Sequence, residues 1–151
     1  MDKVVGFGEI MLRLSPPGKT RFTQSVSFDV IYERAESNVL TAFAHWGIPS
    51  ELVTLLPEHE LGEACLQTIR RYNMNTSYIL RGGERIGIYF YENGSSIRGS
   101  KVIYDRANSY FTTIQPGLIN WEDIFENSSW FHWTGITQAV SEEANRTLLE
   151  S

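Results

Sequence analysis

Apolar and polar positions change period several times along the chain, and each change marks an element. Residues 3–7, KVVGF, form a short β-branched apolar run of the kind a buried strand needs. The run leads into GEIMLRLSP, where MLRLS alternates apolar and polar side chains like a half-exposed strand. Pro16, Pro17 and Gly18 end that ribbon, and FDVIY, residues 28–32, alternates again. From Ser37 the period lengthens. Val39, Leu40, Phe43 and Trp46 fall on one helical face, Gly47 supplies a left-handed cap, and Pro49 blocks continuation. SELVTLL, residues 50–56, reads as the next buried strand and stops at Pro57. Leu61, Ala64, Cys65 and Ile69 mark a second amphipathic helix, with Arg70 and Arg71 at its C-terminal end, where cations suit the helix dipole.

The remaining third continues the alternation. Ser77–Leu80 is a short strand. RIGIYFYENG (85–94) and SKVIYDRA (100–107) are two antiparallel strands around an Asn93-Gly94 turn region. WEDIFENSS (121–129) reads as a short helix and WFHWTG (130–135) as an aromatic-rich strand. SEEANRTLLE (141–150) opens a helix with Ser141 as N-cap and two glutamates in its first turn. Strands that alternate with helices predict an α/β layer with a parallel sheet. The ribbons around residues 10–32 and 85–107 alternate too openly for a buried sheet, so they read as an antiparallel flap beside that layer. The last helix has no C-cap before Ser151, and no strand follows it, which predicts that the unit over residues 1–151 is either a fragment of a larger α/β domain or a gene product cut short.

Composition narrows the class. The chain has 151 residues, a formal net charge of −5 and a sequence pI near 5.2. Its 42% hydrophobic and 21% charged residues fit a globular protein rather than a disordered one. No apolar run approaches the roughly 18 residues of a membrane span. Glu9 and Arg13 interrupt the first segment, which makes it a poor signal peptide. The acidic balance offers no footprint for nucleic acid. A single cysteine excludes an internal disulfide and predicts a reducing, cytoplasmic setting.

Candidate chemistry is sparse. His45, His59 and His132 lack metal-ligand spacing, and one cysteine makes no zinc signature. His132, between Phe131 and Trp133, reads as a hydrogen-bonded, half-buried histidine. Cys65 lies on an apolar helix face, where core packing outweighs nucleophilic chemistry. Gly82-Gly83 precedes a strand rather than a helix, so it makes a turn and not a phosphate loop. Gly6 and Gly8 lack the third glycine and the helix of a dinucleotide site. Tyr89, Tyr104 and Arg106 fall on the two strands that pair, and Tyr104 and Arg106 share one face. An arginine beside two phenols can take a carboxylate or a cluster of sugar hydroxyls. From these residues alone, an exposed sheet face with amphipathic tyrosines is the simpler reading.

Several stretches together resemble the PfkB (ribokinase-like) family of carbohydrate kinases, and within it the 2-keto-3-deoxygluconate kinase branch. They are VVGFGEIMLRLSPPG, AESNVLTAFAHWGIPSELVTLLPEHELGEACL, NTSYILRGGERIGIYFYENG, SKVIYDRANSYF and FHWTGITQAVSE, in the family's order over nearly the whole length. The resemblance implies the N-terminal portion of a doubly wound α/β domain with a β lid. It implies substrate-facing roles for Glu9, near the sugar hydroxyls, for Asn38, and for Tyr89, Tyr104 and Arg106 on the lid. For full-length members it also implies ATP, magnesium and a Gly-x-Gly-Asp segment that carries the catalytic base and an anion hole.

Two departures follow from the same resemblance. Where the family has a Gly-Gly pair before Ala-Glu-x-Asn, this chain has Glu33 and Arg34, two long charged side chains that disfavour close approach of a sugar acid. No Gly-x-Gly-Asp segment occurs, so no catalytic residue, metal ligand or nucleotide pocket is assigned within these residues. The resulting expectation is a truncated homologue of an ATP-dependent 2-keto-3-deoxygluconate kinase whose own activity is lost. The alternative is a non-catalytic protein that binds sugar or assembles through its lid. The expected partners are a sugar acid and further copies of the chain, paired through the lid or through the open edge Trp130–Thr134.

Overall fold

The computed structural model describes residues 3–33 and 35–151. Four apolar segments meet in a parallel sheet of order β5-β4-β1-β8. These are β1 (Lys3–Phe7), β4 (Ser50–Leu56), β5 (Ile79–Arg81) and β8 (Ser128–His132). Alternation along β1 sends Val4 to one face and Val5 and Phe7 to the other, and each face has its own core. On the first face Val4, Leu52 and Leu56 pack with Leu40 of helix α1 (Ala35–His45) and with Cys65, Leu66 and Ile69 of α2 (Glu60–Arg71). On the second, Phe7 lies 5.3 Å from the rings of both Phe111 and Trp121. Helices α3 (Trp121–Phe125) and α5 (Glu142–Leu149) close that side. Among the described residues no helix is long and apolar enough to cross a membrane.

The second sheet has the order β3-β2-β6-β7, built from β2 (Met11–Ser15), β3 (Asp29–Glu33), β6 (Gly87–Glu92) and β7 (Lys101–Asp105). It is the expected flap with one correction. The pairs β2–β3 and β6–β7 are antiparallel, but β2 and β6 run parallel, so the sheet is mixed. Between β2 and β6 the chain runs through β3, α1, β4, α2 and β5, and a return after such a crossover is free to pair in parallel. Leu12, Leu14, Tyr32 and Ile88 pack one face of the flap against the first core.

Other boundaries shift for local reasons. Helix α1 begins at Ala35 and buries Glu36, Ser37 and Leu40, while Trp46 lies beyond the helix, exposed, with its edge against Phe43. The buried face of α2 is Gly62, Cys65, Leu66 and Ile69, a regular i, i+3, i+4, i+7 set that leaves Leu61 exposed. The sequence pattern missed α4 (Gly135–Val140), whose glycine and β-branched residues are poor helix formers. It is anchored from outside, because Thr137 Oγ1 donates to Glu36 Oε1 at 3.1 Å. Ser141 caps α5 as expected, accepting from the Ala144 amide. That helix ends at Leu149, and the Glu150 amide closes it on the Thr147 and Leu148 carbonyls. His132 is half-buried as expected, but its Nε2 has no partner among the described residues, so it is not the hydrogen-bonded histidine anticipated.

One helical glycine is a packing requirement. A Cβ at Gly62 would lie 1.9 Å from the Pro57 carbonyl oxygen. Glycine to alanine inside a helix ordinarily stabilises by about 1 kcal/mol. Here the clash is with backbone and has no soft side chain to absorb it. Gly62→Ala is therefore expected to lower stability by about 1–3 kcal/mol, seen as a lower urea midpoint with an unchanged slope.

Candidate functional site

Strand register assembles a polar row from four distant segments. Arg13 pairs with Ile31 on one side and with Tyr89 on the other, and Tyr89 pairs with Tyr104. Ile31, Arg13, Tyr89 and Tyr104 thus cross the flap on one face, opposite the face that Leu12 and Ile88 pack into the core. The Tyr89 and Tyr104 rings lie 6.0 Å apart, with Tyr104 61% exposed. Glu33 sits two residues from Ile31 and so faces the same way. Its Oε1 accepts from Tyr89 Oη at 2.5 Å and from Arg13 Nη1 at 2.5 Å. Burial, and then the hydrogen bond to Glu33, pushes the Tyr89 phenol up to about 12.

Glu9 and Arg106 meet at the base of the flap. Arg106 Nη2 donates to Glu9 Oε2, and Ser109 Oγ donates to Glu9 Oε1 at 2.6 Å. Glu9 is 3% exposed, and a Cβ at Gly87 would stand 2.5 Å from its Oε1. Both carboxylate oxygens are thus engaged inside the protein. Asn38, in the first turn of α1, is exposed and lines a cavity of about 190 Å³ together with Glu33, Tyr32, Ser37 and Ile10. Arg106 lines a different cleft of about 420 Å³, with Asn108, Ser141 and Glu143.

The structure therefore brings Glu33 and Asn38 to one cavity, connects Glu33 to Tyr89 and through it to Tyr104, and pairs Glu9 with Arg106. Arg34 lies outside the described residues. Sequence reasoning missed Arg13, Glu36 and Ser109. Arg13 carried a signal, being a lone cation between Leu12 and Leu14 in an alternating strand. Glu36 carried none. It is 2% exposed, and its Oε1 accepts from Thr134 Oγ1 at 2.6 Å, a partner 98 residues away. Cys65 is fully buried, and burial pushes its thiol up to about 12, which keeps it a protonated core side chain near neutral pH. Among the described residues no three His, Cys, Asp or Glu side chains gather as metal ligands.

Comparison with known proteins agrees with this architecture. The chain is 34% identical over 145 residues to the 2-dehydro-3-deoxygalactonokinase of Haloferax volcanii, covering 96% of this chain and 45% of that protein. It is 26% identical over 152 residues to the 2-dehydro-3-deoxygluconokinase of Thermoproteus tenax, covering 98% of this chain and 46% of that one. The crystal structure of the 2-dehydro-3-deoxygluconokinase of Thermotoga maritima superposes with a TM-score of 0.97 at 47% identity, over 99% of this chain and 46% of that chain. The chain thus spans less than half the length of these relatives. The profile of the pfkB family carbohydrate kinases matches residues 1–151, and this chain, with its parallel sheet, flanking helices and mixed-sheet flap, belongs to that family.

Proposed function

We propose that these residues form the sugar-acid-facing and lid-bearing part of a 2-keto-3-deoxy sugar acid kinase, and that alone they carry out no phosphoryl transfer. The parent reaction would be ATP-dependent phosphorylation of 2-keto-3-deoxygluconate, in a reducing cytoplasm that suits one buried cysteine. The observation that carries this reading is the row Arg13–Tyr89–Tyr104. It presents a guanidinium and two phenols on one face of the flap, in a chain similar to kinases named for 2-dehydro-3-deoxy sugar acids. ATP and magnesium supply the phosphoryl group and its charge neutralisation when bound to a complete kinase. This chain's own residues supply orientation. The Tyr104 hydroxyl is open to sugar hydroxyls, Arg13 and Tyr89 become available to a carboxylate once Glu33 leaves them, and the Glu9–Arg106 pair holds the flap base in place.

Phosphoryl transfer also needs a base at the acceptor hydroxyl and donors for the developing charge. The closest sequence form to Gly-x-Gly-Asp is Gly6-Phe7-Gly8-Glu9, but the Glu9 carboxylate is already committed to Arg106 and Ser109. A coupled ADP-release assay on the 151-residue chain with ATP, magnesium and 2-keto-3-deoxygluconate is expected to show no turnover above a blank preparation. Turnover above that background would overturn the second half of the reading.

Assembly is a second reading with its own support. All of β7 is exposed at the edge of the flap, with Val102, Ile103 and Tyr104 in its centre, and β8 is an open edge with Trp130 73% exposed. Open edges with apolar side chains favour pairing with another chain. Light scattering after size exclusion at micromolar concentration is expected to give a multiple of 17.3 kDa. Val102→Lys should return a lid-paired form to the monomer, and Trp130→Lys an edge-paired form. A monomeric wild-type chain would defeat this reading.

A further inference from the structure

An arginine and a phenol that converge on one point make a receptor for a carboxylate, since both donate charge-assisted hydrogen bonds to an anionic oxygen. Arg13 and Tyr89 are direct cross-strand neighbours in β2 and β6 and build such a receptor. It is already filled. Arg13 Nη1 and Tyr89 Oη each lie 2.5 Å from Glu33 Oε1, and Glu33 comes from a third strand. The receptor is braced without Glu33. The Arg13 guanidinium lies over the Tyr91 ring at 5.6 Å, and the Tyr89 ring leans on Tyr104 at 6.0 Å. Arg13 Nε is buried and has no partner among the described residues, so the guanidinium is not saturated by its present contacts. Glu33 is the last residue of β3 and borders the cavity that also holds Asn38, so its carboxylate sits at the boundary between the flap face and an open space.

We propose that Arg13 and Tyr89 form a carboxylate-binding subsite on the flap and that Glu33 fills it as an internal pseudo-ligand, so that a carboxylate-bearing small molecule enters only by displacing Glu33. The identity of the displaced ligand as a sugar acid rests on the function proposed above, whereas the subsite rests on the geometry of the three side chains. Glu33 competes intramolecularly, at an effective concentration of millimolar order or higher. It therefore discriminates against acids at this subsite and leaves neutral sugars, which make no claim on the guanidinium, unaffected. Glu33 is in this sense a specificity-determining residue, and its side chain sets the ligand class that the flap accepts.

The test uses the 151-residue chain with Cζ-labelled tyrosine, and Tyr89→Phe assigns the Tyr89 signal. In Glu33→Ala the Tyr89 phenol is expected to titrate closer to the ordinary tyrosine value of about 10, because the carboxylate that opposed its ionisation is gone. Acetate should raise that titration again, while acetamide should not. In the wild-type chain acetate should have no effect, because the subsite is occupied. Adding Arg13→Gln to Glu33→Ala should abolish the acetate response. Glu33→Gln keeps the bulk and removes the charge, so the Tyr89 titration should fall without an acetate response, which guards against misfolding in the alanine variant. Calorimetry should show 2-keto-3-deoxygluconate binding to Glu33→Ala roughly tenfold or more tighter than to wild type. If acetate enters Glu33→Ala but the sugar acid does not, the subsite stands and the sugar-acid reading falls. If acetate moves Tyr89 equally in wild type and Glu33→Ala, or in neither, the proposal is overturned.

Discussion

The buried carboxylate of Glu9 is the joint on which the two sheets depend. It lies in the short, fully buried link between β1, a central strand of the parallel sheet, and β2, a central strand of the flap. Its two oxygens are taken by Arg106 and Ser109, from the segment just after β7. One side chain thus fixes where the flap leaves the parallel sheet and where its last strand returns. Removing one partner of a buried ion pair typically costs 3–5 kcal/mol, because the other charge is left uncompensated. The close passage of Gly87 over Glu9 Oε1 leaves no room for a Cβ, so β6 is held against the same joint.

The docking of α1 follows the same logic with different chemistry. A Cβ at Gly6 would meet Leu40 at 2.7 Å, and one at Gly8 would meet the Glu36 carboxyl carbon at 2.5 Å. Glycine at these two positions lets the helix lie directly on the strand, which is why its N-terminal turn buries a glutamate and a serine rather than an apolar stripe. Thr134 and Thr137 bring α4 to the same carboxylate, so one buried acid organises β1, α1 and α4. Glu33, which ends β3, lies two positions before Ala35, where α1 begins.

The flap face shows how register creates chemistry. Arg13, Tyr89 and Tyr104 come from segments up to 91 residues apart, yet they become neighbours because β2 and β6 pair in parallel with Arg13 opposite Tyr89. A slip of one residue would turn all of them onto the core-packed face. The burial of Leu12, Leu14, Tyr32 and Ile88 on that opposite face is what forbids the slip.

Much of the fold was legible in the chain itself. The runs KVVGF and SELVTLL are mostly apolar because their strands are covered on both faces, although SELVTLL also buries Ser50, Glu51 and Thr54. The alternation in MLRLS and FDVIY marked the flap, and the spacing of Cys65 and Ile69 marked α2. Family membership was legible from whole stretches in order, and Tyr89, Tyr104 and Arg106 were singled out from one strand pair. What the tertiary structure decided was every contact made across large sequence separation. These include the parallel β2–β6 pairing, the helical state of GITQAV, the pairing of Glu9 with Arg106, and the seating of Glu33 on Arg13 and Tyr89. The physical reason is common to all four. Local pattern records whether a side chain is buried, but a carboxylate satisfied by a residue 56 or 97 positions away leaves no periodic trace in its own neighbourhood.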